Sequence, residues 1–131
     1  MQIKISISNS NEINNFDEFV YSYIPRYINK RFERKVNPYL LSIFDKEFDI
    51  DTYSILRYAL RNLIITKSKS DTYIVKIDTR LKYDGHSVSN IVSLVTYGTR
   101  QIRGYGIILD IFKEVSENII YVYNAWLLGV M

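Results

Sequence analysis

Three features of the chain predict an α+β fold with a small antiparallel sheet. Ile3, Ile5 and Ile7 alternate with polar residues, the period-2 pattern of a strand with one buried face. Residues 72–83 repeat that pattern, with Tyr73, Val75, Ile77, Leu81 and Tyr83 on one side and Lys76, Asp78, Arg80 and Lys82 on the other, as in an antiparallel sheet that is wet on one face. Elsewhere apolar residues recur at three- and four-residue spacing, the mark of amphipathic helices. At 131 residues the chain suits one domain, and no linker, repeat or low-complexity block divides it. The expectation is a single α+β domain over 1–131, with strands near 2–8, 72–83 and 119–123 packed with about four to five helices, and with 119–131 as a C-terminal docking arm.

In order along the chain, Asn9, Ser10 and Asn11 follow the first strand as a polar turn, and Asn15 with Glu18 has the spacing of a capping box. Phe16, Phe19, Val20, Tyr23, Ile24, Tyr27 and Ile28 then form one apolar helical face. Pro25 lies within it and predicts a kink or break around Tyr23 and Ile24, because proline has no N–H and its ring crowds the preceding turn. Asn37-Pro38 reads as the cap and first position of a helix carrying Leu40, Leu41, Ile43 and Phe44. Asp49 or Asp51 caps the next, whose stripe is Ile55, Leu56, Ala59, Leu60, Leu63 and Ile64. Residues 66–71 are polar and predict a surface loop.

Beyond the second strand, Asp84-Gly85 is a turn signal and Ser87 caps a helix through Val88, Ile91, Val92 and Val95, closed by Gly98. Gly104 and Gly106 bracket Tyr105 ahead of a helix through Ile107, Ile108, Ile111, Phe112 and Val115, with Asp110 in its first turn and Asn118 at its end. The β-branched and aromatic run 119–123 predicts the third strand.

Composition narrows the function classes. With no Cys the chain has no disulfide framework, thiol nucleophile or cysteine-ligated metal, and its one His leaves little for any other metal site. The N-terminus lacks the charged-then-apolar pattern of a secretory signal. The longest apolar stretch, 119–131, has 13 residues, interrupted by Asn124, where a membrane span needs about 20. These features predict a soluble protein with no membrane partner. A net charge of +3 permits an anionic partner without requiring one. Aromatic residues make up 15% of the chain, twelve of them Tyr, and Tyr suits half-buried faces and interfaces.

No segment has the pattern of a reaction centre. Gly104-x-Gly106 has Leu109 where a dinucleotide fingerprint needs its third Gly, and no Gly-Lys-Ser/Thr triplet exists for a phosphate loop. Asp84, His86 and Ser87 are too close in sequence to reach triad geometry and read as a turn and a cap. The acidic row Asp45, Glu47, Asp49, Asp51 fails as a calcium loop, with Ile50 at the sixth position and Leu56 at the twelfth. The chain is therefore expected to be no enzyme, and to take no cofactor, metal or small-molecule substrate.

Two clusters point to binding instead. Arg26, Lys30, Arg31, Arg34 and Lys35 face one acid, Glu33, within ten residues. This basic helix, 26–35, reads as a solvated face, a surface for an acidic protein, or the contact of a small nucleic-acid-binding or regulatory protein. Tyr97, Tyr105, Tyr121, Tyr123 and Trp126 precede an uncharged apolar end, a composition suited to docking. Arg103, Tyr105, Tyr121, Tyr123 and Trp126 are the candidate oligomer or partner contacts, with the loop 99–106 also facing partners.

The pattern Ile91-Val92-Ser93-Leu94-Val95-Thr96-Tyr97-Gly98, then Ile102-Arg103-Gly104-Tyr105, then Ile108 to Phe112 and Asn118-Ile119, resembles the C-terminal portion of small structural proteins of tailed bacteriophages, of the tail-completion, tail-terminator or head–tail joining type. The likeness spans about thirty residues and has no counterpart in the N-terminal helical half. It implies a non-catalytic ring or adaptor subunit of a virion, assembled in the host cytoplasm. Its partners would be further copies of itself, other virion proteins and the DNA that passes through such a ring.

Overall fold

Tyr73 and Val75 lie fully buried on the middle strand of a three-stranded sheet, and the helices are arranged to cover them. The computed structural model describes residues 1–6, 16–69 and 72–129. Strand β1 (Gln2–Ser6) and strand β2 (Ile64–Lys69) flank β3 (Thr72–Lys76), both antiparallel to it. The register sets Ile3 against Val75 and Ile5 against Tyr73, so the alternating isoleucines of β1 enter the core. Ile7, the Asn9 turn and the Asn15 cap expected from the sequence lie outside the described residues.

The helical part begins with α1 (Phe16–Glu18), passes through a π-helical stretch Phe19–Tyr23, and continues as α2 (Ile24–Lys35). Pro25 was expected to kink or break this run. The α-helical pattern gives way at that place: the coil widens by one residue just before the proline, with the Ile24 N–H donating to Phe19 O, and Pro25 takes the second position of α2. The wider turn makes room for the ring and needs no N–H from it. Phe19, Val20, Tyr23, Ile24, Ile28 and Phe32 all face inward and are buried.

Helix α3 (Pro38–Phe48) starts as predicted, with Asn37 Oδ1 accepting the Tyr39 N–H at 3.0 Å. It ends at Asp49 in the left-handed conformation, φ 51°. Helix α4 (Thr52–Arg61) is capped by Asp51, whose Oδ1 accepts the Ser54 N–H at 3.1 Å. Asp45 adds a second tie at the same corner, accepting the Thr52 N–H at 2.9 Å and its hydroxyl at 2.6 Å. Turn and cap chemistry thus occupies three of the four residues in the acidic row.

Two boundaries differ from expectation. Leu63 and Ile64 were assigned to the α4 stripe and 66–71 to a loop, yet α4 stops at Arg61 and 64–69 form β2. The β-branched run Ile64-Ile65-Thr66 is favoured in an extended edge strand, and Lys67 and the bulge beside it give that edge a charged, irregular outer margin. The second strand also stops early. At its end the Asp78 carboxylate accepts the Arg80 N–H at 2.9 Å and its Nε–H at 3.0 Å, turning the chain before Leu81. Strands β4 (Lys82–Tyr83) and β5 (His86–Ser87) then form a hairpin whose two turn residues, Asp84 and Gly85, both have positive φ, 51° and 80°.

Helix α5 (Val88–Tyr97) is capped by Ser87, whose hydroxyl accepts the Asn90 N–H at 3.4 Å. Its C-terminal segment folds back sharply on itself. Gly98 has φ 74°, the Thr99 N–H donates to Ile102 O at 2.8 Å, and the Tyr105 N–H donates to Val95 O at 2.6 Å. A Cβ on Gly104 would lie 2.7 Å from the Tyr97 carbonyl carbon and closer still to Thr96 O. Helix α6 (Ile107–Glu117) follows, buries Ile107, Ile108, Ile111, Phe112 and Val115, and packs against β1 and α2.

Residues 119–123 were predicted to be the third strand; they are helical. Helix α7 (Ile119–Leu127) turns its Ile119, Val122 and Tyr123 inward, the i, i+3, i+4 spacing of a helical face. Tyr123 meets Phe19 edge-on at 5.1 Å between ring centroids, and Trp126 lies 5.6 Å from Phe19. That packing outweighs the strand preference of the run, because β-propensity acts through contacts that this face finds on helices instead. No described helix is long and apolar enough to cross a membrane.

Two predictions follow from this packing. Gly104→Ala is expected to destabilise by about 2 kcal/mol or more through a backbone clash, whereas Gly106→Ala, with Thr96 O 3.8 Å from the added Cβ, changes the urea midpoint little. A chain cut after Asn118 loses buried Ile119, Val122 and Tyr123 and is expected to unfold at a urea concentration well below the full chain's, read by circular dichroism.

Candidate functional site

Binding residues expected from the sequence divide into those used inside the fold and those turned outward. Tyr105 is used inside: its hydroxyl accepts the Asn37 N–H at 3.0 Å and donates to Lys35 O at 3.1 Å. It thus ties the end of α2 and the cap of α3 to the glycine turn. Burial pushes its phenol up, opposed by the Asn37 hydrogen bond and aided by nearby Asp110. Tyr123 is buried and Trp126 half-buried. Of the aromatic residues marked for docking, Tyr97 and Tyr121 stand well into solvent, each at 71% exposure. Arg103 is exposed at the rim of a cleft of about 460 Å³ between α3 and the glycine turn, floored by Leu40, Phe44 and Ile102.

Tyr121 belongs to an outward face of α7, within the segment 119–131 expected to be a docking arm. Ile120, Leu127 and Leu128 are exposed at 53%, 59% and 78%, and Asn124 is the polar residue among them. From Asn118 to the end of the sequence there is no charged side chain. A helix apolar on all sides is ordinarily covered on all sides, and here the described residues cover only half of it.

The basic helix is not one surface. On one flank, Glu114 from α6 takes the Arg31 guanidinium at 2.7 Å and the Lys35 ammonium at 2.9 Å, and accepts from the Tyr27 hydroxyl at 3.4 Å. Burial would raise the Glu114 carboxyl, but the hydrogen bonds and charges of Lys35 and Arg31 outweigh it and hold it below its ordinary value. On the other flank, Glu33 pairs with Arg57 of α4 at 3.3 Å and accepts the Tyr53 hydroxyl. Arg26 and Lys30 line a groove shared with α4, and Arg34 is exposed. Glu114 lies 79 residues from Lys35, so no local pattern could have announced it.

Asp84, His86 and Ser87 are occupied as expected, in the hairpin turn and the α5 cap. Among the described residues, no three acidic or imidazole side chains converge closely enough to hold a metal ion. Neither a family model nor a curated protein nor a solved structure matches this chain.

Two measurements check this geometry. Tyr105→Phe is expected to cost about 1 kcal/mol, since water can reach the two groups it releases. Glu114 titrates lower in the fold than its ordinary 4.5. Its contribution is therefore present above that value and lost as pH falls below it through the folded value. The urea midpoint should show this loss on acidification, and Glu114→Gln should remove that part of the pH dependence while lowering stability at neutral pH.

Proposed function

We propose that the chain is a non-catalytic assembly subunit that associates with further copies of itself through the outer face of α7. The observation that carries this reading is the uncharged surface of Ile120, Tyr121, Leu127 and Leu128 on a helix already docked on its other side. Exposed apolar patches of this kind mark interaction sites, and an exposed Tyr among aliphatic residues suits an interface core. A second copy is the occupant that the charge pattern favours. Two chains of net charge +3 repel, and this face brings none of that charge into the contact. An uncharged face of this kind can seat on another uncharged surface of a second copy, and head-to-tail contacts of that sort close into rings.

Joined to the resemblance of residues 91–119 to phage tail-completion, tail-terminator and head–tail joining proteins, this reading makes the chain a ring or adaptor subunit of a virion. Its other partners would be neighbouring virion proteins. The apolar terminus then serves both as part of the subunit's own core and as its docking surface.

Light scattering coupled to size-exclusion chromatography tests the reading on the full chain. A discrete multimer is expected, and Tyr121→Lys with Leu128→Lys, both exposed, should give a folded monomer with unchanged far-ultraviolet circular dichroism. A full chain that stays monomeric at high micromolar concentration overturns self-association, as does a multimer that the double substitution leaves intact.

A further inference from the structure

The groove between α2 and α4 is lined by cations from both helices. It has a volume of about 410 Å³, is floored by Pro25 and Leu60, and is rimmed by Arg26, Lys30 and Arg61. Asn29 braces the two helices beneath it, donating to Pro25 O at 2.7 Å and to Leu60 O at 2.8 Å. Lys30 and Arg61 are exposed and make no ion pair among the described residues. The acid in the groove, Glu33, is already held by Arg57 and Tyr53.

Arg61 also borders a second depression of about 150 Å³, where Arg57, Tyr58 and Tyr83 meet. The Tyr58 and Tyr83 rings lie 5.4 Å apart, tilted by 52°, and both are half-buried at the surface. Beyond Tyr83 the charge reverses, with Asp51 and Asp84 around the next hollow, so the basic strip has a defined end. Only the fold assembles this strip, since its halves come from residues 25–33 and 54–83.

We propose that this strip binds single-stranded nucleic acid, with phosphates along Lys30 and Arg61 and a base against Tyr58 and Tyr83. Cations that follow a backbone beside rings that accept a base are the two components of sequence-tolerant single-strand binding. Tyr58 and Tyr83 pack their inner sides on the core, and an acidic protein would use the cations but nothing of the ring surface left beside them. A duplex keeps its bases stacked away from such rings. Arg31 and Lys35 take no part, because Glu114 holds both.

Fluorescence anisotropy of the full chain with a short labelled oligodeoxythymidine tests the proposal. For about two phosphate contacts the affinity should fall about seven-fold between about 50 and about 200 mM salt. Lys30→Glu with Arg61→Glu should weaken binding about ten-fold or more. Lys46→Glu with Lys113→Glu, an equal change of net charge at exposed positions on α3 and α6, should weaken it far less. An abasic strand of the same length should bind about five-fold more weakly than the oligothymidine. The proposal is overturned by no binding at the lower salt, by equal losses in the two double variants, by equal affinity for the abasic strand, or by equal or tighter binding of duplex DNA or polyglutamate. Circular dichroism of both double variants establishes that any loss is not one of folding.

Discussion

Most of this structure depends on one continuous helical run, 16–35, being buried along its whole inner stripe. Phe19 and Tyr23 receive α7, Phe32 stacks on Tyr53 of α4, and Tyr27, Arg31 and Lys35 receive Glu114 of α6. A sharp break at Pro25 would point the two halves of that stripe in different directions. The π-helical turn avoids this by absorbing the proline within the coil, which keeps Val20 and Ile24 as fully buried as Ile28. The cost of the looser hydrogen bonding is offset by that burial, the dominant favourable term in folding.

The same run organises the charge. Five cations on one short stretch would repel if left together, and the fold separates them. Glu114 neutralises one flank from α6, while Glu33 reaches across to Arg57 of α4. Exposed ion pairs of this kind contribute little stability individually, but they decide which cations remain available. Lys30 and Arg61, which make no ion pair among the described residues, sit over the α2–α4 groove, on elements other than α7. The chain thus has two outward surfaces of opposite character, an uncharged apolar one and a cationic one flanked by aromatic rings. An assembly subunit and a nucleic-acid contact therefore need not compete for the same residues.

The tyrosines show why composition could announce binding without locating it. Tyr105 was expected at an interface, yet its hydroxyl closes a corner between α2, α3 and the glycine turn. Tyr123 was expected beside it and lies in the core against Phe19. Tyr83, expected on the inner side of the second strand, is brought against Tyr58 across 25 residues of chain. Burial of a tyrosine depends on what packs over it, and that is a long-range property.

The sequence by itself determined the α+β class, the helix caps at Asn37 and Ser87, a cap at Asp49 or Asp51, a turn at Asp84-Gly85 and the apolar stripes of the helices. Each of these is a contest between neighbours a few residues apart, such as a side-chain oxygen against a free N–H or a positive φ against a Cβ. Tertiary structure alone decided that 119–123 would be helix, that 64–69 would be an edge strand, and which cations Glu114 and Glu33 would claim. In those cases the local preference was weak or ambiguous. The outcome rested on partners tens of residues away, which only the packed chain brings within reach.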